Sequence, residues 1–340
     1  MQDNPAPVQF GLVGTGRITS WVLRGAREDG RFRAAAVCSR SLERARAFAE
    51  SQGIPAAYDD VETMVRDPQI QAVYIGTPNH THHDIALKCL RAGKHVLCEK
   101  PLAASAAEAE EMVAEARRRG LVLMEAMIST LNPNFLKAAS LLPEIGPVRR
   151  YSATFCQYSS KYEALLRGEV APAFDPLCAG GALMDIGIYT LWPMVYLFGE
   201  PTAISGQHIL TRDLPGRGTT DLQGTVDFVY PGLNATVFYS KIADSFLPTE
   251  ISGEGGNLLL DRIHICRRLT HFPHGTPASG RGPDPAGTDL SDAEVPLRDD
   301  YFYEFREFIS CVQAGKESTV NSPDISIAVL RIMDQIREGF

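Results

Sequence analysis

The sequence predicts an α/β protein of two domains, and three observations carry that expectation. Residues 8 to about 125 alternate short apolar runs with longer amphipathic stretches, which is the rhythm of β-α-β units. A Gly-x-Gly pair, Gly14 and Gly16, falls where the first apolar run gives way to the first amphipathic stretch. From about residue 148 the chain turns to longer β-branched and aromatic segments. A length of 340 residues agrees, at roughly 150 residues per domain.

Taken in order, the apolar runs are 8–13, 32–38, 72–75, 95–98 and 121–124, several of them apolar at consecutive positions, as strands covered on both faces are. Between them, 42–52, 81–92 and 106–119 carry Ala, Leu, Glu and Arg at helical spacing, and Gly93 and Gly120 stand where two of these helices end. A doubly wound parallel sheet follows. Beyond it, 148–158, 222–230 and 234–241 read as strands, the last two joined through Pro231-Gly232 as a hairpin. Helices are expected over 183–198, 300–314 and 322–338; in the last, Ile325, Val329, Ile332 and Ile336 share one face. Residues 273–287 hold four prolines and four glycines and are expected to form an irregular loop.

Composition excludes several classes of function. Thirty-three Lys plus Arg against 41 Asp plus Glu give a net charge of −8, which offers nucleic acid no overall attraction. The longest apolar stretch, 191–198, falls far short of the roughly 20 residues a membrane-crossing helix needs. The first residues show neither the basic nor the apolar part of a secretory signal, so a cytoplasmic location is expected. Seven cysteines with no C-x-x-C pair fit neither a disulfide framework nor a zinc ribbon, and Cys98 is read as a packing residue.

Gly14-Thr15-Gly16-Arg17-Ile18-Thr19 stands at a strand-to-helix turn. Glycines there permit a tight turn and close backbone approach to a pyrophosphate, which the helix N-terminus favours electrostatically. Thr19 occupies the third position, where Gly or Ala is usual, and is expected to hold the helix farther from the strand. The second strand ends Val37-Cys38-Ser39-Arg40 with Arg44 a turn later, and no acid is present there to bind the ribose hydroxyl of NAD. A hydroxyl and two guanidiniums suit a 2′-phosphate, which favours NADP with NAD possible. The alternative, that Arg40 and Arg44 decorate a solvated helix start, stays open.

The runs Gly76-Thr77-Pro78-Asn79-His80-Thr81-His82 and Gly93-Lys94-His95-Val96-Leu97-Cys98-Glu99-Lys100-Pro101 resemble the Gfo/Idh/MocA oxidoreductases, the glucose-fructose oxidoreductase and inositol dehydrogenase group. The resemblance extends through Gly180-Gly181-Ala182-Leu183-Met184-Asp185-Ile186-Gly187-Ile188-Tyr189 and covers most of residues 8 to 200. It implies a Rossmann nucleotide-binding domain over 1–128. It also implies a C-terminal α+β domain over 129–340, built on an open, largely antiparallel sheet that takes the substrate and makes dimer or tetramer contacts. A cis Lys100–Pro101 bond is implied too.

The activity implied is NAD(P)-dependent hydride transfer with a secondary alcohol or carbonyl of a sugar, cyclitol or diol. Lys100, Asp185 and Tyr189 are the implied catalytic groups, and Thr77, Pro78, Asn79, His82, Glu99 and Lys100 the implied cofactor contacts. An ammonium, a carboxylate and a phenol are also what alcohol oxidation needs, with Tyr189 as general base, Lys100 lowering its pKa and Asp185 orienting substrate or Lys100. Asp185 and Tyr189 are spaced i, i+4, which puts both on one helix face. A core-edge role for Tyr189 and a helix-dipole role for Asp185 are the structural alternatives.

Glu125, at the end of the fifth run, is assigned to the substrate pocket or to a paired structural carboxylate. Dimeric dihydrodiol dehydrogenases and NADP-dependent xylose dehydrogenases share Glu125-Ala126-Met127 but continue with Trp and then Arg, where this chain has Ile128 and Thr130. No metal is expected, because His80, His82 and His83 on one loop lack further ligands. Two other functions suit the same fold. A non-catalytic NADP-binding regulator has no need of Lys100, Asp185 and Tyr189 together, and an NAD-assisted, redox-neutral glycoside hydrolase sits poorly with Arg40.

Overall fold

A computed structural model of the chain describes residues 6–274, 287–292 and 298–340, so most of the Pro/Gly-rich stretch lies outside the described residues. The first part runs β1 (Val8–Val13), α1 (Arg17–Ala26), β2 (Phe32–Cys38), α2 (Leu42–Gln52), β3 (Ala56–Tyr58), α3 (Val61–Val65), β4 (Ala72–Ile75), α4 (His82–Arg91), β5 (His95–Glu99), α5 (Ala106–Arg119) and β6 (Leu123–Ala126). After α6 (Ile128–Leu131) and α7 (Pro133–Ser140) come β7 (Val148–Cys156), α8 (Tyr162–Leu166), α9 (Ile188–Phe198), β8 (Ala203–Leu210), β9 (Asp221–Tyr230), β10 (Leu233–Ser240), β11 (Thr249–Gly253), β12 (Gly256–Leu260), β13 (Leu269–Pro273) and β14 (Thr288–Asp289). Helices α10 (Phe302–Ala314) and α11 (Pro323–Arg337) close the chain. Contacts divide it into two units, one holding residues up to Ile128 with Arg298–Leu330, the other Ser129–Leu297 with Arg331–Phe340.

The first unit is a six-stranded sheet in the order β3-β2-β1-β4-β5-β6, every pairing parallel. Strands β4 and β6 are buried at every residue, as expected of a sheet covered on both faces. Helices α2, α3 and α5 begin at Ser41, Asp60 and Ser105, whose side chains accept backbone N–H bonds from Arg44, Thr63 and Glu108. Helix α1 differs: its N-cap is Gly16, no side chain caps it, and its first turn has no acid. Its N-terminal end is therefore the one prepared for an external anion.

The expectation that residues 129–340 form one C-terminal domain needs correction. Phe305 of α10 packs its ring 5.5 Å from Phe10, 5.4 Å from Phe32 and 5.9 Å from Tyr74, and Phe308 lies 5.8 Å from Phe10. Aromatic burial on β1, β2 and β4 thus returns residues 298–330 to the first unit. Gly25 permits the approach, since a Cβ there would lie 2.8 Å from the backbone nitrogen of Phe302.

The second unit is an eight-stranded sheet in the order β14-β13-β12-β11-β7-β10-β9-β8. Only β7 and β10 pair in parallel; the rest is antiparallel, including the expected hairpin of β9 and β10. Along β10, Ala235, Val237 and Tyr239 are buried, in the alternation of a strand with one covered face. Helix α9 belongs to that core: Tyr151 of β7 donates to the carbonyl of Thr190 at 3.0 Å, and Leu191, Trp192 and Met194 are fully buried. The run Pro176–Phe198 is long and apolar enough to cross a bilayer by composition, yet 72% of its most apolar window is buried in the fold. It is a core helix.

Candidate active site

In the first unit the carboxyl ends of β1 and β4 diverge at the topological switch point, where open α/β sheets place ligands. A groove of about 750 Å³ opens there, lined by Gly14, Thr15 and Gly16, by Ser39, Arg40, Ser41 and Arg44, and by Thr77, Pro78, His80 and Thr81. Gly14 has φ +111°, and a Cβ on it would lie 2.4 Å from the carbonyl oxygen of Gly76, so no other residue fits. A Cβ on Gly16 would meet nothing within 4 Å and would project from the uncapped end of α1. This is the space a pyrophosphate needs, and the residues present fit a dinucleotide.

Thr19 is accommodated by a glycine at the end of the neighbouring strand. It is fully buried, and its clearance comes from Gly76, where a Cβ would lie 3.1 Å from Thr19 Oγ1 and 2.8 Å from Tyr74 Cε1. Asp59 also lines the groove and was missed, because it follows a strand of only three residues. Of the other expected contacts, Arg17 is exposed with its guanidinium 5.5 Å from the Trp21 ring, and Ile18 and Asn79 are half-buried outside the groove lining.

His82, Glu99 and Glu125 hold the backbone beside the site. The Lys100–Pro101 bond is cis, and three buried side chains hold the turn that contains it. His82 Nδ1 lies 2.9 Å from the carbonyl oxygen of Pro101 and its Nε2 2.9 Å from that of Thr77, clasping the two motif loops together. Glu99 accepts the Tyr74 hydroxyl at 2.8 Å and the Lys100 N–H at 3.3 Å. Glu125, expected in a substrate pocket, accepts the Leu102 N–H at 2.9 Å and is 1% exposed. That bond is the kind expected of the second of its two roles, a structural carboxylate. Burial lowers the His82 pKa and raises that of Glu99, the latter opposed by the Lys100 charge. Lys100 itself stays half-exposed.

In the second unit, Gly180 and Gly181 open a π-helical turn, Leu183–Gly187, that runs into α9. A Cβ on Gly181, at φ +125°, would lie 2.2 Å from Asp221 Oδ1, and the Asp221 carboxylate accepts the Leu183 N–H at 2.7 Å. Burial raises the Asp221 carboxyl to about 6 against the pull of backbone N–H groups. From Gly181 to Val195 every residue is buried except Asp185 and Tyr189, both half-exposed, so the i, i+4 spacing does present these two together. Tyr189 packs edge-on to Phe155 at 5.5 Å, with His264 stacked on the other ring at 4.0 Å. Phe155 and His264 line a cavity of about 430 Å³ with Thr154, Gln157, Asp244 and Arg262. Burial, then Arg262, pushes His264 down to about 4, which leaves it a neutral imidazole at pH 7.

Sequence reasoning also missed Lys241, whose Nζ donates to Asp185 Oδ2 at 2.5 Å. Its only sequence signal is a cation directly following an alternating strand. Cys98 is buried and donates to the Leu102 carbonyl at 3.6 Å, and burial raises its thiol well above the ordinary range. Among the described residues no group of three His, Cys, Asp or Glu side chains is placed to hold a metal.

Comparison with known proteins agrees with both halves. Residues 8–127 match the model of the oxidoreductase family with an NAD-binding Rossmann fold, and residues 136–259 match the C-terminal domain model of the same family. The chain is 38% identical to the scyllo-inositol 2-dehydrogenase (NADP(+)) IolU of Bacillus subtilis (strain 168), covering 97% of this chain and 96% of the relative. It is 40% identical to the trans-1,2-dihydrobenzene-1,2-diol dehydrogenase of Sus scrofa over 73% of this chain and 72% of that one. An aldose-aldose oxidoreductase from Caulobacter crescentus, solved with glycerol, superposes with a TM-score of 0.80 at 25% identity over 98% of each chain. The chain belongs to the Gfo/Idh/MocA family of NAD(P)-dependent oxidoreductases.

Proposed function

We propose that this protein is an NADP-dependent dehydrogenase or reductase of a secondary alcohol on a polyhydroxylated ring, a cyclitol before a sugar or diol. The observation that carries the cofactor choice is the groove wall of Ser39, Arg40, Ser41 and Arg44, two guanidiniums and two hydroxyls where a 2′-phosphate would lie. The cyclitol preference is supported by the 38% identity to an NADP-dependent scyllo-inositol dehydrogenase over nearly the whole of both chains. Bound nicotinamide dinucleotide supplies a hydride acceptor for oxidation and a donor for reduction.

The chain's own residues then manage the proton and the substrate. Tyr189 takes the hydroxyl proton in oxidation and returns it in reduction. Lys100 stabilises the negative charge that develops on the substrate oxygen and favours the phenolate of Tyr189. Asp185 accepts a neighbouring substrate hydroxyl. The polar cavity beside Tyr189, with Gln157, Asp244 and Arg262, suits a ligand rich in hydroxyls. Self-association through the exposed face of the second sheet belongs to this reading, since Ile209 and Val229 there are 48% and 47% exposed. A freely diffusing nicotinamide co-substrate fits a cytoplasmic setting.

Replacing Arg40 by Ala tests the cofactor assignment. Affinity for NADP should fall by about tenfold or more with NADH and NAD affinity little changed, as loss of a charge-assisted contact to phosphate requires. Equal losses for both nucleotides would remove the 2′-phosphate role.

A further inference from the structure

We infer that Lys241 is a positioning residue for the reaction, acting through Asp185 to set where a substrate hydroxyl binds. The inference rests on the role proposed above for Asp185. Buried inward positions on β10 recur at Ala235, Val237 and Tyr239, and Lys241 is the next in that alternation. The strand face that supplies apolar packing to the π-helical turn thus ends in a cation. A Cβ on Gly187 would lie 3.1 Å from the Tyr239 ring, so the turn rests directly on this face, one strand position from Lys241.

The surroundings of Lys241 explain how a charge is tolerated there. Its side chain is 4% exposed, whereas that of Asp185 is 37% exposed. The ammonium donates to Asp185 Oδ2 at 2.5 Å and to the Ala173 carbonyl at 3.0 Å, and it lies 4.3 Å from the centre of the Phe174 ring. Its backbone is fixed as well, with the Lys241 N–H on the Leu222 carbonyl at 2.9 Å. Asp221, on the strand beside it, feels its charge but is engaged with the Leu183 N–H. Burying a cation costs more than burying an apolar chain unless an opposite charge and hydrogen bonds meet it. Here that charge is Asp185, the only half-exposed acid of the π-helical turn. A buried ammonium on one carboxylate oxygen fixes the rotamer of Asp185 and keeps it an acceptor, which is what recognition of a substrate O–H demands.

The test uses the full-length protein with NADP and its best polyol substrate. Lys241→Met keeps the length and packing of the stem over Phe174 and removes the charge. Its kcat/KM for polyol should fall at least about tenfold, mainly through KM, with NADP affinity and Tm near wild type. Lys241→Arg should recover most of that loss, and Lys241→Gln should not. In an Asp185→Asn background, Lys241→Met should cost less than about twofold more, because its effect runs through the carboxylate. Wild-type kcat/KM in Lys241→Met or Lys241→Gln would overturn the inference, as would losses that multiply in the double variant. If Lys241→Met fails to fold, the comparison of Lys241→Arg with Lys241→Gln decides the same question. A wild-type protein inactive on every polyol would instead count against the function proposed above, and the two failures are distinct.

Discussion

Three side chains that the sequence marks as motif residues bond the backbone of the turn after β5. His82, Glu99 and Glu125 each bond the turn at residues 100–102, so their part in the site is to fix where Lys100 stands. The identity of these residues was legible in the sequence, but the backbone atoms they bond were not, because spacing reveals a motif and not which atoms its side chains reach. Glu125→Ala makes the distinction measurable. It leaves a buried Leu102 N–H without its acceptor, which should cost about 1–3 kcal/mol in urea unfolding, and NADP affinity should change little. Lys100→Ala and Tyr189→Phe should behave in the opposite way, each lowering kcat by about 10²–10⁴ with stability and nucleotide affinity kept.

At the scale of elements, the long periodic segments were legible and the short or irregular ones were not. Strands β1, β2 and β4 and helices α2 and α5 fall at the expected residues, because burial on both faces and helical spacing are properties of sequence alone. Strand β3 has three residues and α3 five, too few to show a period, and with them went Asp59 of the groove. The turn at Leu183–Gly187 reads as ordinary helix in the sequence but is π-helical, and the carboxylate that accepts its first N–H, Asp221, lies 38 residues away. That carboxyl gives the element a pH signature. Its folded pKa, about 6, lies above the ordinary 3.8, so its stabilising contribution is complete below the unfolded value and is lost as pH rises through the folded one. Relative to Asp221→Asn, the wild type should lose about 2 kcal/mol of stability between about pH 4 and pH 7, measured by denaturant titration at each pH. A constant difference would show that Asp221 does not titrate in the fold.

For the whole molecule, the sequence announced two domains but placed their division too simply. The chain returns to its first unit at Arg298, and the cause is a ring cluster of Phe10, Phe32, Tyr74, Phe305 and Phe308 whose members lie nearly 300 residues apart. No local pattern reports such a pairing. Phe305→Ala should cost about 3–5 kcal/mol, seen as a lower thermal unfolding midpoint both with and without NADP. The central claim concerns the whole chain, that cradle, Lys100, Asp185 and Tyr189 serve one NADP-dependent oxidation. It is tested most directly by following nicotinamide absorbance in the near ultraviolet, with NADP and NAD supplied separately against inositols, aldoses and vicinal diols. Reduction of NADP by a cyclitol, faster than of NAD, is the result predicted. No absorbance change with any substrate, in protein shown to bind NADP, would contradict it.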